Sequence, residues 1–376
     1  MADRRLQFGL VGAAALLAGL SFYLFSAALP LYLNRFRGYS LPAVGVLIGL
    51  ASVVQVLATL FTGPLVDRRG ARLAIRLGAA SYLLASVLFL TSSWLPAMVL
   101  ARVLQGIGIA LILPSVFSVV PALAPPNLRG TALGFVGAFN NVALAAGPPL
   151  GLLLLRWGPS FLFAAALVAS ALAIVISLFL RVGLAATEPS RLLKYRPAWT
   201  PLYAITFLCV VYWGVVTAFL PIEVPSRQIA NVGWFFTADA IAVMAARVPA
   251  GYLADRFGPR WLLVGGACAT GLAIGVLLVA PSFTSLVLAG IGTGVSAALL
   301  LPPILLELTK RSDETDRGTA MALYNTSFAG AVGAGSLGGA LVVQRLGFHA
   351  TLVVSMVSSL IAAPVALATV RRHEDR

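Results

Sequence analysis

The sequence predicts an all-α membrane protein of twelve transmembrane helices, arranged as two pseudo-symmetric six-helix bundles. Three observations carry this. The 376-residue chain is 60% hydrophobic and only 10% charged, with a mean hydropathy of +0.98. A water-soluble chain of this size has no interior large enough for so much apolar surface, so lipid must solvate it. Apolar runs of 18 or more residues recur along the whole length. Each is long enough to cross a hydrocarbon layer of roughly 30 Å as a helix. Finally, Gly63-Pro64-Leu65-Val66-Asp67-Arg68-Arg69-Gly70-Ala71-Arg72 returns as Gly251-Tyr252-Leu253-Ala254-Asp255-Arg256-Phe257-Gly258-Pro259-Arg260, with six of ten positions identical. The two copies lie 188 residues apart, half the chain.

The spans read in order as roughly 7–33, 41–66, 71–93, 95–122, 129–155, 159–182, 201–223, 229–254, 260–280, 283–309, 318–344 and 348–370. Strands are excluded, because the runs are too long and do not alternate. Turns are marked by Ser40-Leu41-Pro42, Pro125-Pro126-Asn127, Trp157-Gly158-Pro159 and Gly258-Pro259. Asp3-Arg4-Arg5 precedes an apolar stretch reaching about Leu33, too long for a signal-peptide core, so no cleavable signal is expected. The repeat extends further. Arg129-Gly130-Thr131-Ala132 recurs as Arg317-Gly318-Thr319-Ala320, and Gly147 and Gly151 recur as Gly335 and Gly339. The expected domains are therefore 1–182, a cytoplasmic linker 183–200, and 201–376.

The net charge of +14 could suggest nucleic acid, but the basic residues sit in short loops between spans. With the N-terminus inside, 19 Lys and Arg fall on the cytoplasmic side and five outside. That bias sets both termini in the cytoplasm. Arg102 and Arg247 are left inside spans. Cys209 and Cys268 lie in apolar runs and read as packing residues, not as a disulfide or metal pair. His349 and His373 flank the last span without a catalytic or metal-binding partner set. No enzyme is expected, and no cofactor beyond a coupled proton.

Two parallel six-helix halves are an arrangement used by secondary transporters. Gly63-x-Leu65-x-Asp67-Arg68-x-Gly70-x-Arg72 resembles the signature between the second and third helices of the major facilitator superfamily, and 251–260 resembles its second copy. Arg102-Val103-Leu104-Gln105-Gly106-Ile107-Gly108 resembles the fourth-helix motif. Gly147-Pro148-Pro149-Leu150-Gly151 partly resembles the fifth-helix motif of proton-coupled exporters. The resemblance spans essentially the whole chain. It implies alternating access around a central site, with proton-coupled export of a drug or metabolite. Uptake of an organic acid or sugar is the alternative within transport, and a non-transporting receptor or scaffold the alternative outside it. The implied protein is a monomer in a bacterial inner membrane, with a small-molecule substrate, a lipid environment and no nucleic-acid partner.

The duplicated residues Gly63, Asp67, Arg68, Gly70, Arg72, Gly251, Asp255, Arg256, Gly258 and Arg260 are read as a cytoplasmic gate. A carboxylate there faces a helix N-terminus, an arginine faces a C-terminus, and glycine allows the tight turn. Residues that break the repeat speak to substrate and coupling. Arg102 stands where the second half has Gly290, Asp239 where the first has Ala51, and Arg247 where it has Thr59. An ionisable group inside a span costs at least about 2.5–3.5 kcal/mol near the centre, so it faces a partner or a watery cavity. Arg102 lies about 10 Å and Asp239 about 15 Å from the outer ends of their helices at the helical rise. Asp239 is the one acid placed near mid-membrane and is the candidate for proton coupling; a structural partnership with Arg247 or with a backbone group is its alternative. Tyr23, Ser26, Gln105, Asn140, Asn141, Tyr212, Trp213, Thr217, Tyr324 and Asn325 are candidate walls of a polar-aromatic cavity.

Overall fold

The computed structural model describes residues 2–125, 129–181, 195–226, 232–279, 282–313 and 316–374. Within them the chain is helical from end to end. In order come α1 (Ala2–Leu31), which runs on into a π-helical turn at Tyr32–Phe36, α2 (Leu41–Arg69), α3 (Ala71–Thr91), α4 (Leu95–Leu123), α5 (Arg129–Trp157) and α6 (Pro159–Leu178). A short 3₁₀ turn at Pro197–Trp199 leads into α7 (Thr200–Ser226), α8 (Gly233–Phe257), α9 (Pro259–Val279) and α10 (Phe283–Lys310). The last run, Arg317–Glu374, is broken at Gly347, where φ is 82°. It is thus two rods, α11 (317–346) and α12 (348–374), making twelve. Helices dominate because a backbone in hydrocarbon must satisfy its own N–H and C=O groups.

Ten described stretches are long and apolar enough to cross a membrane, one of them the bent Thr319–Thr369. α8, which carries Asp239 in its first third and Arg247 in its middle, is not among the ten. The expected charged turn is tighter than a loop. α2 continues through Arg69, and a single residue, Gly70 at φ 84°, separates it from α3. Gly258 at φ 76° separates α8 from α9 in the same way. Gly158, at φ 139°, turns α5 into α6. A side chain is strained at each of these angles, so the glycines are required.

The chain forms two compact units. The first holds Met1–Tyr32 and Leu50–Arg191, and the second Leu33–Gly49 and Leu192–Arg376. The first residues of α2, 41–49, expected in the N-terminal bundle, thus fall in the second unit. There, a Cβ on Gly45 would lie 2.7 Å from Ser336 O and 2.8 Å from the Phe219 ring.

In the first unit α1 packs on α5 and α6, and α3 on α4 and α6. Val11, Ile75, Tyr82, Ile112, Val116 and Val136 form its core. Polar side chains tie helix to helix through carbonyls. Ser21 donates to Ala166 O at 2.9 Å, Thr62 to Ala110 O at 3.0 Å, and Arg76 to Ser177 O and Leu178 O. In the second unit α7 packs on the Arg317–Glu374 run and α8 on α10. Its core gathers Trp199, Leu263, Ala267, Leu300, Ile304 and Leu308. Ser327 donates to Tyr203 O at 2.9 Å and Ser358 to Leu208 O at 3.0 Å. At the entry to this unit Arg196 is bonded to both Asp313 and Asp316, while Trp199 Nε1 donates to Arg311 O at 3.2 Å. These carboxylates, Asp313 first, hold the Arg196 guanidinium above its ordinary proton affinity.

Glycine sets the helix separations, and the 188-residue repeat is visible in them. A Cβ on Gly106 would lie 2.5 Å from Ala51 O and 2.7 Å from Val54 Cβ. A Cβ on Gly294 would lie 2.2 Å from Asp239 O and 2.7 Å from Ala242 Cβ. All three positions shift by the repeat. Gly147 meets Tyr23 as Gly335 meets Val211, again in register. Such small residues let backbones approach in lipid, where packing and not water exclusion joins helices.

The glycines are not equivalent, which gives a paired prediction. A Cβ at Gly151 would stand 2.0 Å from Leu24 O and one at Gly335 2.0 Å from Val211 O, whereas Gly338 has nothing within 4 Å. Gly151→Ala and Gly335→Ala will each cost about 1–3 kcal/mol or more, and Gly338→Ala almost nothing. Melting temperatures of the three purified variants decide this, and equal values refute it.

Candidate functional site

Each unit gathers polar side chains near the same point of its repeat. In the first unit the carriers are α1, α3, α4 and α5. Arg102 and Gln105 stand three residues apart on α4, hence on one face. Arg102 Nη1 donates to Gln105 Oε1 at 2.5 Å, and both side chains are buried. Tyr82 of α3 is pressed close because Gly108 has no side chain; a Cβ there would lie 2.5 Å from its ring. The Tyr82 phenol stands within electrostatic reach of both Arg102 and Tyr23. Tyr23 in turn lies beside the Asn140 amide of α5. Gly19 leaves room for that amide, its built Cβ 3.5 Å from Asn140 Oδ1. The four expected residues Tyr23, Arg102, Gln105 and Asn140 thus fall in one neighbourhood, joined by Tyr82.

In the second unit the carriers are α7, α8 and α10. Gly290 and Gly294 bring the α10 backbone against α8, with built Cβ atoms 2.4 Å from Phe235 O and 2.2 Å from Asp239 O. Thr293 lies between these glycines and so is set directly on Asp239. Its hydroxyl donates to Asp239 Oδ1 at 2.7 Å, and Asp239 is 4% exposed. The same hydroxyl stands 2.9 Å from Gly290 O, so its one hydrogen has an acceptor on a neighbouring helix and another on its own. The Tyr212 phenol of α7 lies within electrostatic reach of Asp239. Among the described residues Asp239 makes no ion pair; the four there are join Arg196 to Asp313 and Asp316, and Lys310 and Arg311 to Glu307. The alternative partnership of Asp239 with Arg247 is therefore not an ion pair, and Arg247 instead acts electrostatically on Tyr324.

Aromatic rings stand beside Tyr212. Trp213 meets Tyr212 edge to face, with centroids 6.1 Å apart, and Phe236 likewise at 5.7 Å. Phe236 precedes Asp239 by three residues and shares its face of α8. Trp213 is half-buried, while Tyr212 and Phe236 are buried.

Other expected wall residues stand differently. Thr217 donates to Trp213 O at 2.7 Å, and Asn325, which is exposed, donates to Met321 O at 3.0 Å. Both spend a donor on their own helix, a use open to any such residue. Ser26 and Asn141 are half-buried, and Tyr324 is buried. Of the expected gate, Gly70 and Gly258 are the turn residues described above. Arg72 and Arg256 are exposed, and the Arg260 guanidinium lies 5.2 Å from the centroid of the Trp261 ring. A Cβ on Gly251 would meet nothing within 4 Å. Gly63 is helical, but its surroundings and the side chains of Asp67, Arg68 and Asp255 lie outside the described part. Thr293, Tyr82 and Phe236 were not singled out from the sequence. Thr293 had a signal, since it is Gln105 shifted by 188 residues.

Comparison with known proteins places this geometry. The model of the Major Facilitator Superfamily matches residues 11–227 and 202–376. An uncharacterized MFS-type transporter of Salmonella typhimurium, STM4428, is 27% identical over 369 residues, covering 92% of each chain. The chromaffin granule amine transporter of Rattus norvegicus is 25% identical over 337 residues; the match covers 86% of this chain and 64% of that longer one. The crystal structure of peptide transporter POT in complex with sulfate superposes with a TM-score of 0.82 at 15% identity, covering 98% of this chain and 94% of that one.

The Arg102–Gln105 bond predicts a specific sensitivity. Gln105→Leu withdraws an acceptor from a buried guanidinium and will destabilise the protein by about 1–3 kcal/mol. Gln105→Glu, which keeps an acceptor, will lose less. Thermal unfolding in detergent checks the order of the two, and the reverse order would refute it.

Proposed function

We infer that this chain, which belongs to the Major Facilitator Superfamily and is an integral membrane transporter, exports a small organic compound in exchange for protons. Its two units alternate access to the substrate. The observation that carries this reading is Asp239, a buried carboxylate on α8 whose Oδ1 is held by Thr293 and which has no ion-pair partner among the described residues. A buried carboxylate needs a compensating positive charge or a proton. An acid of this kind can take a proton from one side and release it to the other when the site changes its exposure. Structural acids elsewhere in the unit, such as Glu307 beside Arg311 at 2.9 Å, are already compensated.

The Lys and Arg distribution supports a cytoplasmic position for both termini, and with them for the Gly70 and Gly258 turns. Asp67 and Asp255 then lie on the cytoplasmic face, where a charged latch would close one access route. The partial fifth-helix motif at Gly147–Gly151 supports export over uptake.

Two measurements test this reading. In proteoliposomes with an imposed pH gradient, Asp239→Asn will abolish gradient-driven transport while leaving exchange in the absence of a gradient; retained proton coupling sinks the assignment. Asp67→Ala will slow turnover at normal membrane expression, and unchanged transport kinetics would remove Asp67 from the gate.

A further inference from the structure

We propose that Arg196, Asp313 and Asp316 form an electrostatic clasp, which fastens the entrance of α7 to the α10–α11 corner and releases both together when it opens. The clasp lies wholly in the second unit and concerns how that unit changes shape, whatever it carries. Arg196 Nε donates to Asp316 Oδ2 at 2.5 Å, and its Nη2 bonds Asp313 Oδ2. One planar guanidinium thus holds two carboxylates at once, a geometry that suits the arginine fork. The chain is hooked again just beyond. Arg311 Nη1 donates to Ala198 O at 3.1 Å, and the buried Trp199 donates from Nε1 to Arg311 O at 3.2 Å. Asp316 carries the contact into α11. Its N–H donates to Asp313 O at 3.1 Å, and its carbonyl accepts from Ala320 N at 3.0 Å in the first turn of the helix. Tyr203 of α7 donates to Ala320 O at 3.1 Å.

These charges are absent from the other copy of the repeat. Shifted by 188 residues, Arg196, Glu307, Arg311, Asp313 and Asp316 become Phe8, Val119, Leu123, Pro125 and Leu128. α4 and α5 therefore form on the same scaffold with apolar residues at the matching places, and the charges are not a condition of building the helices. The half that has them is the half whose first helix follows the linker.

The two arms of the clasp are unequal. The Asp313 side chain is 72% exposed, so its pair with Arg196 is screened by salt and holds weakly. The Asp316 side chain is 5% exposed, and its Oδ1 has no hydrogen-bond partner among the described residues. A buried carboxylate that loses its counter-ion is strongly destabilised. Arg311 is no substitute, since Glu307 at 2.9 Å already holds it. With Arg196 in place the corner is closed. With Arg196 withdrawn, Asp316 has to reach water and takes the first turn of α11 with it. The contact has two states, and one side chain decides between them.

Amide hydrogen exchange of the purified full chain, read on peptides covering 195–203 and 316–324, tests the clasp. Arg196→Gln will speed exchange in both segments by about tenfold or more, while peptides from α9 stay as in the wild type. Arg196→Lys, which keeps the charge but loses the fork, will fall between the two and serves where Arg196→Gln does not fold. Arg196→Asp will open the clasp as Arg196→Gln does. Combining it with Asp313→Arg returns a guanidinium to the space between two carboxylates and will restore slow exchange in both segments. That rescue separates charge pairing from a plain loss of packing. Unchanged exchange in Arg196→Gln, a response confined to 195–203, or a charge-swapped pair no slower than Arg196→Asp alone overturns the clasp. The measurement needs neither substrate nor gradient, so its failure leaves the coupling role of Asp239 standing, and the failure of that role leaves the clasp standing.

Discussion

Backbone-to-backbone approach at glycine is the constraint on which both units depend. In water, helices are pressed together by the exclusion of their apolar faces. In lipid that drive is absent, and contact has to come from close packing and carbonyl-directed bonds. Gly106 on Ala51 and Val54, Gly294 on Asp239 and Ala242, Gly147 on Tyr23, and Gly335 on Val211 are four such approaches, paired by the repeat. Serines and threonines complete the contacts by donating to carbonyls of neighbouring helices, as Ser21, Thr62, Ser327 and Ser358 do. Bulk added at any of these glycines pushes apart two helices and breaks the polar bonds nearby.

The polar sites are consequences of this packing. Gly290 and Gly294 draw α10 onto α8, and the residue between them has no choice but to face Asp239. In the first unit, position 102, the equivalent of Gly290, is an arginine, and its neighbour Gln105 takes up the guanidinium. One scaffold, repeated, therefore carries a buried arginine in one copy and a buried acid in the other. Gly290 and Arg102 are the hinge of that difference: the glycine lets two backbones touch, and the arginine puts a charge where they would have met.

Much of this was legible in the residues. The repeat, the helical class and the need for glycine at the Gly70 and Gly258 turns follow from hydropathy, spacing and the rarity of positive φ outside glycine, whereas the single-residue length of those turns does not. Asp239 and Arg102 stood out because each breaks the repeat and each is costly in a span. What was hidden depends on which helices touch. Helical periodicity gives the face a residue occupies but not the helix opposite it, so the Thr293–Asp239 bond and the packing of Tyr82 were out of reach. Thr217 and Asn325 show the same limit. Their side chains turn back on their own helices, which a polar residue in a span does as readily as it lines a cavity. Residues 41–49 of α2 go with the first bundle by chain continuity, and their contacts at Gly45 put them in the second unit.

The Thr293 hydroxyl has a property that its distances do not express singly. It reaches two acceptors, Asp239 Oδ1 at 2.7 Å and Gly290 O at 2.9 Å, with one hydrogen to give. The bond is therefore a choice between a neighbouring helix and its own. Turned outward, it ties α10 to α8 through a side chain. Turned back, it leaves the two helices joined at that level by the glycine contacts alone.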